Sequence, residues 1–413
     1  MMTLKRWTAF LVLIMYLGLI LRSTSIVGMS ISVFIILGLA SLWKKYSVKG
    51  VIYERKFLYM RAFPGEQFPV SIEVENRKLL PLSWLRIVDP WPRVIAPQEE
   101  ERLTLSHINE MGYLNHVFSL LWYQRISRKY DLLHRKRGVY KIGPALLETG
   151  DLFGLYNERR QAGTIDHITV FPKLLPIPNV EIQAENPFGD KRSRRRIFED
   201  PNLSIGMREY HPEDSFRHIH WPATARTGQV QVKVFQPTSE RVLMLCLNVS
   251  TYLRYWEGVY PELLEYLLEV AASLASQGIH NGYRVGIISN GCLNNSDQPF
   301  RIPAGRSPQQ LGYLLEALAG VSPVVVAPFE RFLLREVPRV PYGATLIILT
   351  AIYTDELAET ILRLKKHERQ ISLISVAEEP PDNNIGVPNM HFPFHTPDIY
   401  KVANLLPNSE EEG

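Results

Sequence analysis

Cysteine is almost missing from this chain of 413 residues: Cys246 and Cys292 are the two present, far apart in the sequence. Their number and spacing exclude a disulfide framework and a cysteine metal site, and Cys246, inside an apolar run, reads as a small buried hydrophobe. A reducing, cytoplasmic setting fits that usage. Charge of one sign is also scarce. A formal net charge of +4 is too weak for a domain whose surface is organised around nucleic acid. The catalytic signatures with a legible mechanism are missing as well: no Gly-x-Ser-x-Gly elbow, no glycine loop that cradles phosphates, and no His-Glu-x-x-His helix. His107, His116 and His134 are spaced unlike any compact metal site. What remains is an ordinary globular composition, 46% hydrophobic and 21% charged, long enough for two or three domains.

The N-terminal 50 residues depart from that composition. Two apolar runs, 8–21 and 26–43, are separated by Arg22-Ser-Thr-Ser25. Lys5, Arg6, Lys44, Lys45 and Lys49 flank the pair, whereas Arg22 alone lies in the turn. By the positive-inside rule this pattern predicts a transmembrane helical hairpin with both termini cytoplasmic, hence a multi-pass protein of the cell membrane, with Trp7 and Trp43 at the interfaces. From 51 to 180 the period changes to short alternating runs punctuated by Pro, Gly and Asn, predicting a β-sandwich-like module. Residues 181–204 form a linker that carries Lys191, Arg192, Arg194, Arg195 and Arg196. A solvated connector, a contact with anionic lipid and a nucleic-acid contact are its three readings; the last lacks interleaved aromatics.

Residues 205–240 hold the most informative stretch. Arg208, Tyr210, Pro212, Asp214, Arg217, Ile219, Trp221, Ala225 and Arg226 stand in order ahead of an alternating strand over 229–235. Pro212 suits a first helical turn, with Asp214 and Arg217 three residues apart on one face. Gly228 suits a helix C-cap after a short helix over 223–227. From 241 to 406 near-continuous apolar strands (242–249, 283–289, 344–350, 371–376) alternate with helices (261–277 stopped by Gly278, 308–319, 328–336, 355–367, 397–406). That alternation predicts a doubly wound α/β domain on a parallel sheet. An acidic tail, 407–413, follows.

The ordered residues of the 205–240 segment resemble the signature of the Domain of Unknown Function 58 family, which carries it just ahead of a von Willebrand factor A-like domain. One departure is His211-Pro212-Glu213-Asp214, where the family has a glycine before the aspartate. The stretches 80–85, 137–144 and 150–155 are also similar to the family's N-terminal region. The resemblance implies a von Willebrand A-like fold for 241–406 and, at its strand ends, the place of a metal-ion-dependent adhesion site. Here that place reads Asn248, Ser250 and Tyr252 in the first loop and Thr350-Ala351 later, so both acidic positions are gone and the expectation is no metal and no cofactor. It further implies a membrane-held adaptor or scaffold, not an enzyme, whose partner is a MoxR-type AAA+ ATPase, in envelope maintenance or protein maturation, often alongside a transglutaminase-like membrane protein. Arg208, Tyr210, Asp214, Arg217, Trp221 and Arg226 are then a partner-binding surface or a structural bracket. The alternative reading is a hydrolase or anion-binding enzyme in which Asp214, Arg217, His218, His220 and Arg226 supply acid, base and anion clamp.

Overall fold

The computed structural model describes residues 4–97, 103–108, 110–150, 157–178, 199–212, 214, 216–237, 242–341, 343–367, 369–381 and 386–394. The basic run 191–196, the helix expected at 397–406, the tail 407–413 and most of the 150–155 stretch lie outside them. The chain divides into two compact units, Met1–Phe171 and Pro172–Gly413.

The first unit opens with helices α1 (Leu4–Ile20) and α2 (Thr24–Ser47). They pack closely at Gly18, where a Cβ would stand 2.8 Å from the Ile26 side chain. The transmembrane hairpin expected from the sequence is overturned here: among the described residues no helix is long and apolar enough to cross a membrane. Helix α1 has 17 residues, about 25 Å at 1.5 Å per residue, less than the roughly 30 Å of a hydrocarbon core. The multi-pass location inferred from those runs is withdrawn with them.

Strands follow: β1 (Val51–Phe57), β2 (Arg61–Ala62), β3 (Gln67–Asn76), β4 (Leu82–Pro92), β5 (Leu103–Leu105), β6 (Met111–Leu120), β7 (Arg125–Leu133), β8 (Gly138–Ile142), β9 (Ala145–Gly150), β10 (Asn157–Ala162) and β11 (Asp166–Val170). They form a β1-β3-β7 sheet, a β10-β9-β4-β6-β5 sheet and a β2-β11-β8 sheet. Alternation along β3 buries Val70, Ile72 and Val74, which meet Leu85, Ile87 and Trp91 of β4 and Leu114 and Phe118 of β6 in one core. Beside that core lies a buried charge pair. Both guanidinium and carboxylate of Arg55 and Asp89 have no exposed side-chain surface. Arg55 donates from Nε (2.7 Å) and Nη2 (2.6 Å) to Asp89, which also accepts from Tyr53 Oη at 2.6 Å and Trp91 Nε1 at 2.8 Å. A third Arg55 bond, 2.7 Å to Asp166, ties β1 to β11. Burial next to the Asp89 carboxylate pushes the Tyr53 hydroxyl far above its usual range.

The second unit begins with an antiparallel ribbon, β12 (Glu199–Glu209) and β13 (Gln231–Pro237), joined through helix α3 (Trp221–Thr227). Gly228 ends α3 at φ 74°, the left-handed position that favours glycine. Then come β14 (Val242–Leu247), α4 (Pro261–His280), β15 (Arg284–Leu293), β16 (Pro299–Gly305), α5 (Gln310–Ala319), β17 (Val321–Val325), α6 (Phe329–Glu336), β18 (Thr345–Thr350), α7 (Asp355–Lys366), β19 (Gln370–Ser375) and β20 (Asn389–His391). The sheet runs β16-β15-β14-β18-β19-β20, with β17 also on β15. Its five strands from β15 to β20 are parallel; β16 and β17 are antiparallel to β15. Every residue of β14 and β18 is buried, because helices cover both faces. Met244 and Cys246 join Phe329, Leu333, Leu357 and Ile361 of α6 and α7. On the opposite side α4 comes so close that a Cβ on Gly278 would stand 2.9 Å from Val285 and 3.0 Å from Leu243. Gly278 is therefore a contact residue inside α4, not the helix stop expected from the sequence. Helix α7 starts as its residues dictate: Thr354 Oγ1 accepts from Leu357 N at 3.2 Å, with Asp355 and Glu356 in the first turn and Arg363, Lys365 and Lys366 in the last.

Candidate functional site

In an open α/β sheet the ligand crevice forms at the carboxyl ends of the parallel strands. Here Asn248 follows β14, Asn290 follows the stretch of β15 that pairs with β14, and Thr350 ends β18, all three buried. Asn290 sits at the centre. Its Oδ1 accepts from Val249 N at 2.9 Å, while its Nδ2 donates to Asn248 Oδ1 and Ala327 O, both at 3.1 Å, and to Ser250 Oγ at 3.4 Å. Asn248 Nδ2 donates to Thr350 Oγ1 at 3.0 Å, and Asn248 Oδ1 takes the Ser250 N–H at 3.1 Å. Thr350 Oγ1 donates in turn to Ile352 O at 2.6 Å. The result is a neutral polar network in which carboxamides and hydroxyls satisfy one another. Ala351 is buried beside it and Tyr252 half-buried above it.

A hard divalent ion requires anionic oxygens, and this donor set offers neutral ones already engaged by each other. Among the described residues no group of three or more His, Cys, Asp or Glu is placed to hold a metal ion. His116 is 3.3 Å from Tyr130 Oη, and His134 stacks on Phe68 at 4.3 Å between centroids, separate core roles. Burial pushes the Cys246 thiol far above its ordinary range, which makes it inert.

Above the network, the loop 251–260 is anchored by Thr251 Oγ1, which accepts from Tyr260 N at 2.6 Å. Its tip is not buried. Leu253 is 76% and Trp256 68% exposed; Tyr255 packs edge-on against Trp256 at 5.1 Å, and the Arg254 guanidinium lies 6.0 Å from the indole centroid. Three large apolar side chains on one short loop are an exposed contact surface.

In the 205–240 segment the structure brings together Arg208 and Asp214. Two parallel bonds, 2.7 Å from Nη1 and 2.6 Å from Nη2, make the pair bidentate, and His211 N donates to the same carboxylate at 2.9 Å. Arg208, then the His211 amide, hold the Asp214 carboxyl at about 2, below the usual carboxylate range. The pair sits at the surface, with the arginine side chain 46% exposed. Asp214 thus closes a turn with Arg208 and does not share a helix face with Arg217, whose backbone belongs to the 3-10 turn Phe216–His218. Tyr210 stacks on Phe216 at 5.8 Å. Trp221 opens α3 and is 66% exposed; Arg226 is exposed in its last turn. His220 caps α3, its Nδ1 accepting from Ala223 N at 3.0 Å. Among the described side chains, Asp214 pairs with Arg208 and His220 caps α3, so these two serve separate local roles.

The residues sequence reasoning missed are Asn290, Leu253 and Trp256. The polar pair Ser289-Asn290 after four apolar residues is the signal that marks where β15 leaves its pairing with β14; Leu253 and Trp256 carry none beyond their proximity to the end of β14.

Residues 206–378 match the model of the family described as "Protein of unknown function DUF58". The chain is 21% identical over 328 residues to "Uncharacterized protein YeaD" of Bacillus subtilis (strain 168), covering 79% of this chain and 75% of that protein. Among solved structures it is similar to the CARDB domain of a Pyrococcus furiosus protein (12% identity, 29% of this chain, 91% of that chain, TM-score 0.20). It is also similar to a non-cellulosomal cohesin from Archaeoglobus fulgidus (8% identity, 29% of this chain, 90% of that chain, TM-score 0.21). Scores this low bear on neither fold nor function. The likeness to the DUF58 family thus rests on residues 206–378 of this chain.

Proposed function

We propose that this chain is an interaction module, an adaptor or scaffold and not an enzyme, that grips its partner with the exposed loop 251–260. The resemblance to the family makes a MoxR-type AAA+ ATPase the partner to test first, a transglutaminase-like protein the second, and a von Willebrand A-like ancestry the source of the crevice. The observation that carries this reading is the pairing of an exposed Leu253–Tyr255–Trp256 tip with a crevice floor made wholly of neutral, mutually satisfied groups. Such a floor supplies no general base and no metal ligand, whereas aromatic side chains beside an arginine are the residue types that dominate binding energy at protein interfaces. The hydrolase reading loses support at Asp214: a carboxyl held at about 2 is a poor base near neutral pH.

The test is capture of the purified ATPase by the full-length chain, wild type against Trp256→Ala and Leu253→Ala. Each variant is expected to weaken capture by about tenfold or more while keeping the wild-type melting temperature. Capture unchanged in the double variant would refute the assignment of the loop.

A further inference from the structure

On the β16 edge of the second unit, away from the strand-end crevice, three arginines converge on one buried carboxylate. Arg339 Nη1 is 2.9 Å and Arg335 Nε 3.2 Å from Glu336 Oε1, and Arg301 Nη1 is 4.0 Å from Glu336 Oε2. The Glu336 side chain is 8% exposed, but the side chains of Arg301, Arg335 and Arg339 are 45%, 59% and 61% exposed. They line a cavity of about 500 Å³ with Gln298, Pro299 and Phe300.

A single arginine would satisfy one carboxylate. One carboxylate balances one of the three guanidiniums, so the wall of the cavity carries an excess of positive charge, screened in part because the arginine side chains are about half exposed. The donor arithmetic points the same way. Each guanidinium carries five N–H donors, so the cluster has far more donors than Glu336 has lone pairs, and the surplus opens on the cavity. The volume lies within the range of small-ligand sites. Planar guanidinium forks suit oxyanions, and the surplus of two charges matches a phosphate group near its dianionic form better than a carboxylate.

We propose that the cavity bounded by Arg301, Arg335 and Arg339 binds the phosphate group of a small molecule, with Glu336 as the buried counter-charge that orients the arginines. The second ionisation of a phosphate monoester falls near pH 6, so the site holds its ligand more weakly below that pH.

The test titrates the full-length chain calorimetrically, at low ionic strength, with phenyl phosphate, inorganic phosphate and benzoate. Saturable binding of a phosphate compound is expected, with benzoate about tenfold weaker or more, and with Arg301→Gln and Arg339→Gln each weakening phosphate about tenfold. Tighter binding of phenyl phosphate assigns the ligand to a monoester, tighter binding of inorganic phosphate to the free anion; both support the site. The proposal is overturned by absence of saturable heat with both phosphate compounds or by benzoate binding as tightly as phenyl phosphate. It is equally overturned by unchanged affinity in arginine variants that melt like the wild type.

Discussion

Asn290 shows how one side chain fixes the character of a crevice. Its carboxamide gives donors on one side and an acceptor on the other, and both are used in the buried floor. Asn290→Asp keeps the shape but turns donors into a charge facing Asn248 Oδ1 and Ala327 O. That variant is expected to lose about 3 kcal/mol at neutral pH. Its carboxyl is raised in the folded state, so the native protein binds the extra proton first, and the deficit shrinks as pH falls toward the unfolded value near 4. Urea unfolding at a series of pH values measures this; a pH-independent deficit would contradict it. Asp214 shows the opposite sign. Its depressed carboxyl contributes order above about pH 4, the unfolded value, and loses it as pH falls through about 2. Hydrogen exchange of the 206–214 stretch is expected to lose protection across that interval, and Arg208→Gln to move the loss upward toward pH 4. Because the pair is open to solvent, Asp214→Ala is expected to lower global stability by about 1 kcal/mol or less. None of these partners was legible in the sequence: Arg208 reaches Asp214 across a turn that helical spacing does not describe, and Asn290 meets Asn248 only because two strands lie side by side.

Elements were legible where burial makes the pattern uniform. The wholly apolar runs of β14 and β18 announce strands covered on both faces, and capping residues announce α3 and α7. Strands with half-polar composition, β16 and β17, left no such mark, so the antiparallel edge went unseen. Gly278 misled for a different reason: glycine also serves where a helix must approach a sheet, and the sequence does not distinguish that from a helix end. Gly278→Ala is a direct check. It gains about 1 kcal/mol of helix propensity but places a methyl 2.9 Å from Val285 and 3.0 Å from Leu243, where overpacking costs about 1–3 kcal/mol. Net loss is expected in thermal unfolding; a rise in melting temperature would show that α4 shifts freely. The N-terminal runs misled through composition alone, since among the described residues no helix is both long and apolar enough to cross a membrane.

At the scale of the whole molecule, among the described residues one core is shared by the three β sheets and another lies between the α/β sheet and α6 and α7. The first holds its buried ion pair, and removing one partner strands a charge. Asp89→Ala is expected to cost about 3–5 kcal/mol in that unit alone. Differential scanning calorimetry should resolve the effect: Asp89→Ala lowers one transition and Asn290→Asp the other, whereas a single transition shifted by both would mean the units unfold together. The borders of the α/β sheet carry one more consequence. Among the described residues it ends on one side at β20, three residues long; on the other it ends at β16 and the short β17, and β16 begins with Pro299, contains Pro303 and pairs with β15 through register shifts. A short rim strand and an irregular, proline-bearing one give an incoming strand little to hold. Growth of this sheet from copy to copy is thereby discouraged at both rims, and crowding many copies together would favour side-chain contacts over backbone fusion.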